Sequence, residues 1–164
     1  SESHTDILRN LESDIQAIRY IVEGDKVELP VKLRVHESLF TPLAKWSMLM
    51  AGNYRCVQKS SMRPIKEAVH SDLSTTQSVY EWVIGLCEKL GGDRIDLVPF
   101  DKYANAALSL VNPSSAARAL ANGAPNIERV DKLVQTLAVQ NGMQSDAVDE
   151  TVELVDGWLE KNRA

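Results

Sequence analysis

The chain has 164 residues, 44% of them hydrophobic and 25% charged, with a formal net charge of −5. That length fits one ordinary globular domain, which buries roughly 70% of its unfolded surface and folds without disulfides or a structural metal. An acidic balance argues against nucleic acid as a partner, because phosphate binding needs a basic surface.

The first periodic segment is Ile7, Leu8, Leu11, Ile15, Ile18 and Val22. Its three- and four-residue spacing predicts a helix from about Thr5 to Val22, stopped by Gly24. The period then changes to two, with Val27, Leu29, Val31, Leu33 and Val35 alternating with Lys26, Glu28, Pro30, Lys32 and Arg34. Pro30 cannot donate to a ladder, so this segment reads as an edge strand or extended connector. From about Glu37 to Gln58 a Leu-, Met- and Ala-rich stretch centred on Trp46 returns to helix. Pro64 starts a short helix or marks a kink.

Ser74-Thr75-Thr76-Gln77 has the form of a capping box. Val79, Trp82, Val83, Leu86 and Leu90 follow on one helical face, and Gly91-Gly92 ends it. Pro99 opens another helix, with Phe100, Tyr103, Ala107, Leu108 and Val111 inward. Asn112-Pro113 reads as N-cap and first-turn proline of a short helix ending near Gly123. Ile127, Val130, Val134 and Leu137 mark the next helix, which Gly142 ends. The last is capped by Ser145 and carries the stripe Val148, Val152, Val155 and Leu159. Its acids come early and its bases late, complementing the helix dipole. The expectation is an all-α bundle of about seven helices with at most one short extended edge segment. Residues 1–36 form an opening helix and extended junction, and 37–164 a helical substrate-side domain, in one compact domain overall.

Several chemistries lack their residues. No Gly-x-Gly occurs, so neither a dinucleotide fingerprint nor a P-loop is present, and no cofactor is expected to bind this chain by itself. Cys56 and Cys87 are the only cysteines, and His4, His36 and His70 show no ligand spacing, which leaves no metal site. Two isolated cysteines suit a reducing, cytoplasmic setting. No apolar run approaches the ~18 residues that span a bilayer, and Ser1 to Asp6 is too polar for a signal peptide.

Four features invite a functional reading. Ser114 and Ser115 fall in the first turn of a predicted helix, where free N–H groups favour an anion such as a carboxylate; ordinary capping is the competing explanation. Arg55, Lys59, Arg63 and Lys66 make one positive stripe if their helix is continuous, and otherwise a solvated face. Lys45, beside Trp46, is either a site residue or a snorkelling surface lysine. Trp46, Trp82 and Trp158 sit at or beside apolar helical positions and read as packing or interface residues.

The order of these features resembles the C-terminal helical domain of the ketopantoate reductase family. That family carries Ser-Ser, a short helix, Gly-x-Pro-Thr-Glu-Ile-Asp, a helix, a glycine and a final helix. Here the run is Ser114-Ser115, then Gly123-Ala124-Pro125-Asn126-Ile127-Glu128, then a helix to Gly142 and the last helix. Upstream, Lys45-Trp46-Ser47-Met48-Leu49 stands where the family has Trp-x-Lys-Leu-x-x-Asn-x-x-x-Asn-Pro. The likeness spans about Glu37 to Ala164. It implies a 6-phosphogluconate dehydrogenase C-terminal-like helical fold and a role in NADPH-dependent reduction of ketopantoate, on the route to pantothenate and coenzyme A. NADP(H) is then implied only through a Rossmann domain, in cis or in trans, that this chain lacks.

By the same resemblance Asn53, Ser114, Ser115 and Asn126 contact a small carboxylate substrate and Lys45 stands in for the catalytic lysine. The departures matter. Aligning on Trp46 puts Met48 at the lysine and Gly52 at the first asparagine; aligning on Lys45 puts Leu49 at the first asparagine and Asn53 at the second. Matching Ile127 puts Asn126 where the family has glutamate. A methionine cannot donate a proton to a carbonyl oxygen becoming an alkoxide. An alternative is a non-catalytic helical interaction or dimerisation module. A small helical enzyme acting on an anion, like a chorismate mutase, is a third reading, but it lacks an inner face bearing several bases. A homodimer is expected either way, with Trp46, Met48 and Met50 as the candidate exposed face. No nucleic acid and no membrane is expected as a partner.

Overall fold

In a computed structural model, residues 2–29, 33–35 and 40–164 are described, and they fall into two compact units, Ser1–Leu39 and Phe40–Ala164. The described residues are mostly helical, with eight α-helices and one two-stranded antiparallel sheet.

The first unit corrects the all-α expectation. Helix α1 spans Glu2–Ala17 and stops five residues short of Val22. Strands β1 (Arg19–Val22) and β2 (Asp25–Glu28) then pair, with Tyr20 opposite Val27 and Ile21 opposite Lys26. Between them Glu23 and Gly24 have φ of 54° and 95°. Two consecutive positive φ values make the two-residue turn whose twist matches that of paired strands. Gly24 therefore closes a hairpin rather than ending a helix, and Tyr20-Ile21-Val22 supplies the aromatic and β-branched residues that favour a strand. Among the described residues of the expected extended run from Val27 to Val35, only Val27 and Glu28 lie in a strand. Leu33 to Val35 is irregular, with the Val35 N–H bonded to Glu12 at 3.2 Å, and Pro30 to Lys32 lie outside the described residues.

The second unit opens with a composite helical run: a 3₁₀ turn (Thr41–Lys45), α2 (Trp46–Met48), a π turn (Leu49–Asn53) and a second 3₁₀ turn (Tyr54–Cys56). One regular helix over about 37–58 was expected; 37–39 lie outside the described residues, and in the rest Tyr103 accounts for the π turn. Its hydroxyl donates to the Met48 carbonyl at 3.2 Å, the acceptor that a regular α-helix gives to the N–H of Gly52. A Cβ on Gly52 would lie 1.8 Å from that hydroxyl. Only glycine admits the ring here, and a side chain inserted into the i→i−4 ladder is a recognised cause of helix distortion.

The chain leaves the helix at Val57 (ψ 121°) and doubles back through a bridge between Val57 and Met62. Then come α3 (Ile65–His70), α4 (Leu73–Lys89), α5 (Phe100–Ala107), α6 (Ser115–Ala121), α7 (Val130–Gln140) and α8 (Asp146–Arg163). Pro64 occupies the N-cap of α3, and Gly91, Gly123 and Gly142 follow helix ends with positive φ, as their positions predicted. The cap of α4 is Asp72, not Ser74: its carboxylate accepts from the Thr75 N–H at 2.9 Å and the Thr75 hydroxyl at 2.6 Å. An aspartate two residues upstream offers two acceptor oxygens where serine offers one. Likewise Ser114, not Asn112, caps α6, and Ser145 holds the cap position of α8 without a side-chain bond.

Val79, Val83, Leu86, Val134, Val148, Val152, Val155 and Leu159 are all buried, matching their helical stripes. Leu108 and Val111, expected inward, are exposed because α5 ends at Ala107. Around Tyr80, Phe100 packs edge-on at 5.3 Å and Tyr103 stacks at 5.4 Å. Met50 is fully buried and Trp46 and Met48 are partly buried against the core, so Met50 drops out of the exposed face expected from these residues. Tyr54 ties the composite run to α7, donating to the Glu128 carbonyl at 2.6 Å and accepting from the Val130 N–H at 3.1 Å. Beside it Arg129 holds the buried Asp131 through two bonds of 2.9 Å and Asp156 through one of 2.6 Å. No helix among the described residues is long and apolar enough to cross a membrane.

Candidate functional site

The Ser-Ser turn borders a concavity of about 300 Å³ in the second unit. Asn53 from the end of the π turn, Ser114 and Ser115 from the start of α6, and Arg118 one turn further on supply its polar lining; Ile65, Leu110 and Val111 supply apolar wall. Two backbone bonds fix the loop that frames it: the Ile65 N–H donates to the Asn112 carbonyl at 3.1 Å, and Lys66 N–H to Leu110 at 2.9 Å. These donors open α3 and would otherwise lack partners, so one loop both caps a helix and shapes the wall.

The two serines behave differently. Ser114 is buried; its hydroxyl donates to the Asn53 carbonyl at 2.7 Å and accepts from the Ala117 N–H at 3.2 Å. Capping therefore accounts for Ser114, with the added role of tying α6 to the π turn. Ser115 is exposed, and neither its hydroxyl, the Asn53 amide nor the Arg118 guanidinium is engaged by another side chain or backbone group among the described residues. One cation, one hydroxyl and one amide with spare capacity can receive a carboxylate, while the apolar wall holds a short aliphatic body.

Of the residues singled out by sequence, Asn53, Ser114 and Ser115 thus share one concavity. Lys45 is exposed at the end of the first 3₁₀ turn and does not line it. Asn126 lies outside it too, accepting from Arg163 Nη2 at 3.1 Å while Arg163 Nε donates to Pro125 at 2.8 Å. That pairing anchors the end of α8. Arg118 escaped the sequence reading, although its spacing of three from Ser115 on one helix face was a usable signal.

Neither cysteine offers a nucleophile. Both are buried and free, and burial pushes the Cys56 thiol up and the Cys87 thiol up to about 11. No group of three or more His, Cys, Asp or Glu among the described residues converges on a point where a metal could sit. The indole N–H groups of Trp82 and Trp158 are spent on the carbonyls of Gln144 (3.1 Å) and Gln58 (2.7 Å), consistent with packing roles. No protein-family model matches the chain, and no curated protein and no solved structure is significantly similar to it.

Proposed function

We propose that this chain is the substrate-side helical domain of a ketopantoate reductase-like, NADPH-dependent oxidoreductase, and that it holds the carboxylate of a small 2-oxo or 2-hydroxy acid. The observation that carries this reading is the convergence of Asn53, Ser115 and Arg118 on one concavity, from segments more than fifty residues apart. The π turn adds support. A π turn inserts one residue into a helix, so Trp46 can keep its family position before it while Asn53 takes the first asparagine position after it. With that single insertion the Trp46 register gains Asn53 at its first asparagine, while its lysine position still holds Met48.

The cofactor and the hydride belong to a Rossmann domain joined in cis or supplied in trans. This chain contributes binding and orientation, which alone supply a large share of a bimolecular barrier reduction. Titration of the ¹⁵N-labelled chain with ketopantoate tests the reading. Saturable shifts at Asn53, Ser115 and Arg118, lost about ten- to hundredfold in affinity in Arg118→Ala, are expected for a charge-assisted bond. Absence of saturation at these amides sinks it. Calorimetry with NADPH is expected to give no saturable isotherm for this chain alone.

One observation favours the second reading, a non-catalytic interaction module. The family's lysine position holds Met48, half-buried against the core, and Lys45 stands outside the concavity. With no proton donor in reach, reduction would need one from the partner domain. A mixture with a cognate Rossmann domain that binds but never turns over ketopantoate would establish that reading.

A further inference from the structure

Arg55 and Arg63 face a second cleft, of about 150 Å³, closed on the far side by Ala147, Glu150, Thr151 and Leu154 of α8. It shares no residue with the concavity at Ser115. The four bases of the sequence stripe are not on one helix, because the chain leaves the helix at Val57. Lys59 and Lys66 go to other surfaces. The return past the Val57–Met62 bridge instead brings Arg63 back beside Arg55: Arg63 N–H donates to the Cys56 carbonyl at 2.9 Å, and Arg63 Nε to the Arg55 carbonyl at 2.9 Å.

Both guanidiniums are pinned by neutral groups. Arg55 Nη1 donates to the Thr76 hydroxyl at 2.6 Å and Arg63 Nη1 to the Ser71 hydroxyl at 3.2 Å. Neither is in an ion pair among the described residues. Each guanidinium has five N–H donors, so several remain for a ligand. Burial, and then the neighbouring Arg63, pull the Arg55 guanidinium below its ordinary value. Two like charges held half-buried without a counter-ion are costly, and a bound anion removes that cost. Asp72 and Glu150 are the acids whose fields reach Arg55. Asp72 is committed to capping α4, and Glu150, itself exposed, lines the cleft from α8.

We propose that this cleft binds the phosphoryl group of a small phosphomonoester between Arg55 and Arg63. Two guanidiniums match a dianion, and their fork geometry suits phosphate oxygens. The volume equals about five waters at roughly 30 Å³ each, room for a phosphoryl group and the first atoms of its ester. Leu154 also lines an adjoining concavity of about 290 Å³ with Lys59, Trp158 and Lys161, where the organic part of the ligand runs.

NMR titration of the full chain with inorganic phosphate, glycerol 3-phosphate and acetate tests this. Saturable shifts are expected at the amides of Thr75, Ala147 and Glu150 with both phosphates. Glycerol 3-phosphate should bind more tightly and also move the Trp158 indole. Arg63→Gln should weaken both by about tenfold or more, the scale of a lost charge-assisted bond. Because Arg63 also braces the Arg55 backbone, Glu150→Gln is the second variant. It removes an exposed repelling charge and should tighten phosphate by about threefold. Shifts that grow linearly without saturation, or affinities unmoved by Glu150→Gln and a folded Arg63→Gln, overturn the site. Acetate binding as tightly as phosphate overturns the phosphoryl assignment, and equal affinity for the two phosphates overturns the ester.

Discussion

The two units carry helical stripes of similar quality in sequence and bury them very differently. In α1, Ile7, Leu8 and Leu11 are 63%, 48% and 46% exposed, and no described residue of the first unit is buried. In α8, Val148, Val152, Val155 and Leu159 are at most 1% exposed. A periodic stripe states which face is apolar; it does not say whether the chain itself supplies the cover. The first unit has a helix, a two-residue turn and a hairpin, all formed by local rules, with little to hold them together. Short isolated helices and lone hairpins are marginal in water. The second unit has the long-range packing that makes such elements persist.

The largest expected effect sharpens that contrast directly. Leu86→Ala or Leu120→Ala, each at fully buried positions, should cost about 2–5 kcal/mol in urea denaturation. Ile7→Ala should cost less than about 0.5 kcal/mol, because its side chain is mostly exposed already. Comparable losses at both places would show that α1 has a buried face after all.

Next is Gly52→Ala, which should cost about 1–3 kcal/mol by forcing Tyr103 out of its seat. The clash is with the hydroxyl; the next ring atom is 3.1 Å away. Tyr103→Phe should therefore be milder in the Gly52→Ala background than alone, a non-additivity readable in a double-mutant cycle. The same residues show where the sequence was and was not legible. Capping glycines, Pro64 and the stripes of α4, α7 and α8 are local signals, and they placed those helices correctly. The π turn comes from a tyrosine fifty residues away in the chain, and no window of sequence contains both partners. Asn53 and Ser114 were read as site residues, yet the bond joining them, and Arg118 beside them, required the tertiary fold. The hairpin leaves only a weak local trace, Gly24 between Tyr-Ile-Val and an alternating run, because Glu-Gly is not among the strong two-residue turn pairs.

Alkaline titration probes the packing of the second unit by a third route. Burial, against the Val130 hydrogen bond, pushes the Tyr54 phenol up to about 12, and burial also raises Tyr80 and Tyr103. An unfolded tyrosine ionises near 10, so the unfolded state releases its protons first. The stability held by these neutral phenols is complete below pH about 10 and is lost as pH rises toward 12, up to about 2 kcal/mol for Tyr54. Phenolate absorbance should therefore appear together with loss of helical circular dichroism. Ionisation of Tyr54 with the fold intact would contradict its buried, doubly bonded environment.

The smallest expected effect repeats the contrast within a single turn. Ser114 is as buried as the core and holds two bonds, one to its own helix and one to Asn53. Ser114→Ala removes a cap and takes the hydroxyl donor from the half-buried Asn53 carbonyl, so it should cost about 1–2 kcal/mol. It should also loosen the joint between α6 and the π turn, seen as faster amide exchange at Ala117. Ser115 is exposed with its hydroxyl uncommitted, and Ser115→Ala should change stability by less than about 0.5 kcal/mol. Its effect should appear only in carboxylate affinity, through a lost hydrogen bond to a charged group. A stability loss at Ser115 equal to that at Ser114 would make the whole turn a cap, and would leave the concavity resting on Arg118 and Asn53 alone.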